Sequence, residues 1–320
     1  MSDSAPPLAS WGEVGLGTAR ELGGAAGASP LAFDAPVRAR PVWRDNLTTF
    51  ASNRFAFVGL LVLVAVALFC FLGPLVYSTN QSATNLLNEN LPPSGSFPLG
   101  TSPEGFDILG RLMLGGQSTL EVGFAVAVVA TAFGTLWGAI AGYTGGIVDA
   151  LLMRVVDTML SIPFLFFVVL LAALVRADLL VVILVLTAVS WLSTARVVRG
   201  ETLSLRTRDY VVASRGFGAT GWRVAGRHIT PNLAGVLIVS GTLKVADAIL
   251  AFASISYLGL GPPPPATNWG TMLSTGINNL FSGYWWQLWP AAVLIVVTVL
   301  AVNVLGDALS DVAERRLQKR

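Results

Sequence analysis

The chain has 320 residues, of which 54% are hydrophobic and 12% charged, with a net charge of +2 and a mean hydropathy of +0.69. These values exclude an ordinary soluble domain and argue against nucleic acid as a partner, so an all-α integral membrane protein bathed in lipid is expected. A single histidine, His228, and a single cysteine, Cys70, exclude a clustered zinc site and an intrachain disulfide.

Residues 1–45 are rich in Ala, Gly, Pro and Ser without an apolar run, which reads as a disordered cytoplasmic tail and not a cleaved leader. A first membrane helix is expected over 55–77, leaving the cytoplasm behind Arg38, Arg40, Arg44 and Arg54. The polar, Pro- and Gly-punctuated stretch 78–116 then forms an external loop with a short helix. Five further helices fill residues 117–309.

The first of these, about Ser118–Tyr143, carries Gly134, Gly138 and Gly142 at four-residue spacing, a stripe suited to close helix packing. After an inner turn at Gly145, Gly146 and Asp149, a third span over about Ala150–Val175 contains Pro163, where a kink is expected. Asp149, Arg154 and Asp157 are spaced for local ion pairing around that turn. The fourth span, from Leu179 to about Val198, returns the chain to the cytoplasm at Arg196 and Arg199.

Pro231 can open the fifth span, which continues to about Leu258, since a first-turn proline forfeits no helical hydrogen bond. Pro262–Pro265 favour an extended external connection. Trp269, Trp285, Trp286 and Trp289 flank it in the manner of an interfacial aromatic belt. A sixth span, Leu288 to about Leu305, leads to a cytoplasmic tail over 310–320. Against this topology, Arg111 and Arg176 lie outside and Lys244 within a span, and the remaining 17 of the 20 Lys and Arg are cytoplasmic. Both termini are therefore expected inside.

The loop 206–231 is the longest polar interruption between spans, with Arg206, Arg208, Arg215, Arg223 and Arg227. Gly218 and Thr220 divide it into two short helices, Thr220 being a plausible N-cap. In the first, Val211, Ser214, Arg215 and Gly218 share one face, while Val212 and Phe217 offer apolar surface elsewhere. A helix this short is marginal alone. Two readings fit the arginines: a docking element held by packing, or an ordinary positively charged inner loop.

The segment Asp209–Asn232 resembles the cytoplasmic loop of ABC importer permeases. That pattern is Glu-Ala-Ala, a Gly four positions on, and a Pro thirteen beyond the Gly. Val212, Ala213, Ser214, Gly218 and Pro231 fall in register, with Val212, Ser214 and Thr230 standing where the pattern has Glu, Ala and Leu. Tyr210, Arg215, Ala219, His228, Ile229 and Asn232 resemble the variant of oligopeptide, dipeptide and nickel importers. Gly138–Pro163, the segments WLSTARVVRGETLSL, SISYLGLGPPPP and TNWGTML, and the closing NVLGDALSD extend the likeness to the C-type permease subunit. The resemblance implies a type I importer fold of six helices and a half-channel. It also implies partners: a second homologous permease, two cytoplasmic ABC ATPase subunits docked on the loop, and an external solute-binding protein.

On this reading the chain is not an enzyme and carries no cofactor, ATP and Mg being bound by the partner subunits. The sequence agrees, because a phosphate-cradling lysine needs a preceding glycine and the lysines are Lys244 after Leu243 and Lys319 after Gln318. Lys244 and Asp247, three apart and near mid-membrane if the helix starts at Pro231, can pair on one face. They either border the translocation path or the partner permease, or form a self-neutralising pair between helices. They also support a competing class, an ion-coupled secondary transporter acting without an ATPase.

Overall fold

The computed structural model describes residues 54–79, 81, 83–174, 178–218, 221–224, 226–227 and 230–318. The readings of the tail 1–45 and of Arg176, Ala219, Thr220, His228 and Ile229 fall outside these residues. The described chain is helical, relieved by an isolated bridge between Thr101 and Asp107. In order it forms α1 (Arg54–Val76), α2 (Ile108–Thr144), α3 (Gly146–Leu160), α4 (Phe164–Leu174) and α5 (Leu179–Arg206). There follow α6 (Asp209–Gly216), α7 (Gly221–Val224), α8 (Thr230–Tyr257), α9 (Trp269–Leu280) and α10 (Trp289–Gln318).

Among the described residues, α1, α2, α5, α8 and the stretch Trp285–Asp311 are long and apolar enough to cross a membrane. Their outward faces carry Phe57, Leu61, Leu68, Phe124, Leu184, Val293 and Leu300, all exposed. Apolar surface on that scale is stable against acyl chains, not water. The protein is thus a multi-pass membrane protein with five such helices, or six where α3 and α4 count as one.

That pair departs from the expected kink at Pro163: α3 and α4 are separate helices bent 85° from one another. Proline supplies no N–H and pushes the preceding Ile162 out of helical geometry. The Ser161 amide turns back to the carbonyls of Asp157 and Thr158 at 3.1 and 3.3 Å, ending α3, and the Pro163 carbonyl accepts from Phe167 at 3.2 Å to start α4.

The start of α2 also differs from the hydropathy reading. Instead of beginning near Ser118, it begins at Ile108, capped by the Asp107 side chain on the Leu109 amide at 2.9 Å, and runs for 37 residues. At 1.5 Å per residue this is about 55 Å, well beyond a hydrocarbon core of about 30 Å. Glycines hid the extra turns, because a polar, Gly-rich segment scores as loop when its contacts are unknown.

α2 is the central helix, touching α1, α3, α5, α8 and α9. One apolar core joins it to α3, α4, α5 and α8 around Val126, Val156, Leu186 and Phe252, and a second joins it to α1, α8, α9 and α10 around Cys70, Ile249 and Trp269. Gly134 and Gly142 bring its backbone onto α5: a β-carbon there would lie 2.6 Å from the Trp191 carbonyl and 2.8 Å from the Arg199 carbonyl. Gly138 faces the Ala195 carbonyl still more closely. Further toward the other end, Gly115 and Gly123 approach Asn268 and Ile249.

The tryptophans divide in two, which corrects the belt reading. Trp285 and Trp289 are about half exposed, whereas Trp269 and Trp286 are buried. Trp269 donates to the Leu112 carbonyl at 2.9 Å and Trp286 to the Thr101 carbonyl at 3.3 Å, so each polar edge is satisfied inside. Gln287 adds bonds to Thr101 at 2.9 Å and Asn90 at 2.7 Å, tying the 78–107 loop to the start of α10.

Candidate functional site

The loop between α5 and α8 is anchored from within. Val211 of α6 and Val224 of α7 are fully buried and join Val198 and Leu233 in a small core flanked by Ala139, Tyr143, Leu205 and Leu237. Burying each valine is worth about 2 kcal/mol, which replaces the stability that so short a helix lacks alone. Gly218 turns the chain between α6 and α7 at φ +79°, a conformation suited to glycine. Gly221 packs on the Tyr143 ring, and the Asn232 amide donates to the Tyr210 hydroxyl at 3.4 Å, fastening α6 to the start of α8.

The outward side combines an apolar ridge with charge, for Arg208, Asp209, Arg223 and Arg227 are exposed there too. Tyr210, Val212 and Phe217 are 45%, 56% and 92% exposed, and Ala213 and Gly218 lie open beside them. Ser214 is half-buried beside the buried Val211, whereas Gly218, read from the sequence as sharing their face, is exposed. Pro231 lies in the first turn of α8, and Ala219 falls outside the described residues. α6 and α7 thus form a two-helix platform with an exposed apolar ridge at the end of the bundle.

At the same end, the ion pairs are not local to the α2–α3 turn, contrary to the sequence reading. Asp149 takes both nitrogens of the Arg199 fork, at 2.8 and 2.7 Å, and Asp157 takes Arg196 at 2.6 Å, so α3 is stitched to α5. The first pair is the sheltered one, with side chains 12% and 36% exposed against 57% and 56%. Arg206, the last residue of α5, donates to the Gly142 carbonyl at 3.1 Å. Sequence spacing could not reveal these partners, since they lie 39 to 64 positions apart.

Within α8, Lys244 and Asp247 do pair, at 3.2 Å. Lys244 is mostly buried, while the Asp247 carboxylate is 66% exposed. It opens a stripe of exposed residues with Leu250, Ser254 and Tyr257 at helical spacing. This face of α8 is left uncovered by the described residues, and it carries the one charge pair within that helix.

At the opposite end, the four prolines form a strap over α2. Arg111 donates to the Pro265 carbonyl at 2.9 Å and its guanidinium lies 3.8 Å from the Phe106 ring, while Ser118 donates to the Thr267 carbonyl at 2.6 Å. Asn268 then caps α9 in a reciprocal box with Thr271. Arg111, which the sequence places outside the membrane, is thus a structural tie between α2 and the strap.

Residues 134–319 match the family of binding-protein-dependent transport system inner membrane components. The chain belongs to this permease family. Residues 42–93 also match the N-terminal transmembrane domain of oligopeptide transport permease C. Similar relatives include the oligopeptide transport system permease protein OppC of Bacillus subtilis, 38% identical over 87% of this chain and 91% of that protein. The dipeptide transport system permease protein DppC of the same organism is 36% identical over 86% of each chain. OppC of Escherichia coli is 39% identical over 86% of this permease and 91% of its own length. The α6–α7 platform and the Asp149–Arg199 pair both lie inside the region matched to the permease family.

Proposed function

We propose that the chain is the permease subunit of an ATP-driven peptide importer, forming half of the translocation pore beside a second, homologous permease. Two cytoplasmic ATPase subunits, which carry ATP and Mg, dock on the α6–α7 platform. A solute-binding protein delivers cargo at the strap end. The peptide cargo is taken from the names of the relatives, which transport oligopeptides and dipeptides. The α3–α4 pair makes one crossing, giving six spans of a type I importer permease with both termini cytoplasmic, as the distribution of Lys and Arg favours.

The observation that carries this reading is the platform itself, with Val211 and Val224 locked inside while Tyr210, Val212 and Phe217 offer apolar contact to a partner. Closing of the ATPases would push this element and switch the pore between inward-facing and outward-facing states by rigid-body gating. Deleting residues 213–219 tests it: the chain still inserts, the ATPase no longer copurifies, and uptake is lost. ATPase recovered at the parent level with the deletion variant overturns the docking claim.

The Lys244–Asp247 pair favours one alternative, transport coupled to an ion gradient. Substrate accumulation by the purified chain alone under such a gradient, with no ATPase present, would select it.

A further inference from the structure

We propose that Asp149 and Arg199 are positioning residues that pass displacement of the α6–α7 platform to α2 and α3, acting as the joint of the transport cycle. This rests on the reading of the platform as the ATPase docking element. Only Thr207 and Arg208 separate α5 from α6, so force applied to the platform is handed directly to the last turns of α5, as well as to the start of α8 through Tyr210 and Leu233. Those turns lie against α2 through Gly134, Gly138 and Gly142, a groove that permits close approach but offers no side chain to grip. Close backbone contact alone resists separation better than sliding.

Arg199 supplies the grip. Its backbone rests in the glycine groove, with its nitrogen 3.0 Å from a β-carbon placed on Gly138 and its carbonyl 2.8 Å from one placed on Gly142. Its guanidinium then reaches across to both carboxylate oxygens of Asp149 on α3. One residue thereby links three helices, by a bidentate, charge-assisted and directional contact. Arg206, about two turns beyond Arg199, holds the Gly142 carbonyl, so the α2–α3 corner is fixed to α5 at two points. The exposed Arg196–Asp157 pair adds little, since solvent screens it.

The test uses the complete transporter in liposomes, with Cys70→Ala removing the native thiol. Spin labels at Leu151→Cys on α3 and Val296→Cys on α10, both exposed positions, report their separation in the nucleotide-free and ATP–vanadate-trapped states. The parent should show a shift between the states, and Arg199→Ala should reduce it to less than half while the ATPase still copurifies. Arg199→Lys should fall between them, and the swap Asp149→Arg with Arg199→Asp should recover more of the shift than either single change. An unchanged shift in Arg199→Ala, no shift in the parent, or a swap no better than the singles overturns the proposal. If Arg199→Ala lowers ATPase recovery, the swap decides. Failure of the docking reading appears separately, as ATPase retained by the 213–219 deletion.

Discussion

At the scale of single residues, the sharpest constraints are glycines that act through the neighbour they admit. A side chain at Gly138 would press on the Ala195 carbonyl, and backbone cannot yield as a flexible side chain does. Gly138→Leu should therefore cost about 1–3 kcal/mol, read as a lowered unfolding temperature in detergent. Gly146→Ala would be a poor control because of its positive φ, whereas Gly200→Ala meets nothing within 4 Å and should be tolerated. The Lys244–Asp247 pair makes a second residue-level prediction. Lys244→Met alone strands the Asp247 carboxylate in an apolar span, so it should reduce membrane yield more than Lys244→Met with Asp247→Asn. Equal yields from the single and double variants would show that the pair is not mutually neutralising. The stripe at 134, 138 and 142 was legible because its spacing is regular and local. Gly115 and Gly123 were not, because what they admit, Asn268 and Ile249, lies more than a hundred positions away.

At the scale of elements, α6 and α7 show how a short helix can be both weak in isolation and firm in place. The turn between them depends on Gly218, whose φ of +79° opposes any β-branched residue. Gly218→Val should cost about 1–2 kcal/mol locally and lower ATPase recovery and uptake. Gly216→Ala, which meets no neighbour within 4 Å, should leave both intact. Losing neither function in Gly218→Val would mean that the platform's shape is not what the partner reads. The two helices were visible in the sequence through glycine punctuation and the Val211–Ser214 face. The inward anchor Val224 was not, because four helical residues contain too little periodicity to assign a face. Element boundaries failed where chemistry outside the segment decides them. Ile108–Gly116 is helical with its glycines covered by residues outside it, Gly110 by Thr79 and Gln81, Gly115 by Asn268, and Gly116 by Cys70 and Trp269. The tryptophans near the strap looked alike in sequence, yet only hydrogen-bond partners far along the chain separate the buried Trp269 and Trp286 from the exposed Trp285 and Trp289.

At the scale of the whole molecule, hydropathy made the five long apolar helices legible though not all of their ends, and the proposed direction of crossing rests on the arginine distribution. Cys70 is the only cysteine and is fully buried, so it should resist membrane-impermeant maleimide in the intact protein. With Cys70→Ala as background, Leu87→Cys and Phe217→Cys occupy sites 92% exposed at the two ends of the bundle. In intact cells the reagent should label the first and spare the second, and opened cells should allow labelling of both. The reverse pattern would invert the proposed topology and place the platform beyond reach of ATP.

The break between α3 and α4 carries a consequence for how the subunit exists at all. Two extra helix ends arise there: the Asp157, Thr158 and Met159 carbonyls closing α3 are met by the Ser161 and Ile162 amides, but the first amides of α4, at Phe164, Leu165 and Phe166, have no carbonyl within their own helix. Residues 160–166 around the break are exposed in the single chain, and α4, with 11 residues, spans only about 16 Å. Hydrocarbon cannot satisfy such groups, and unpaired peptide units at membrane depth persist only beside protein or within a wet cavity. A solitary copy of this chain would leave that notch unsealed, so the isolated subunit should be short-lived in the bilayer, and its lifetime should rise when a complementary polypeptide closes the gap.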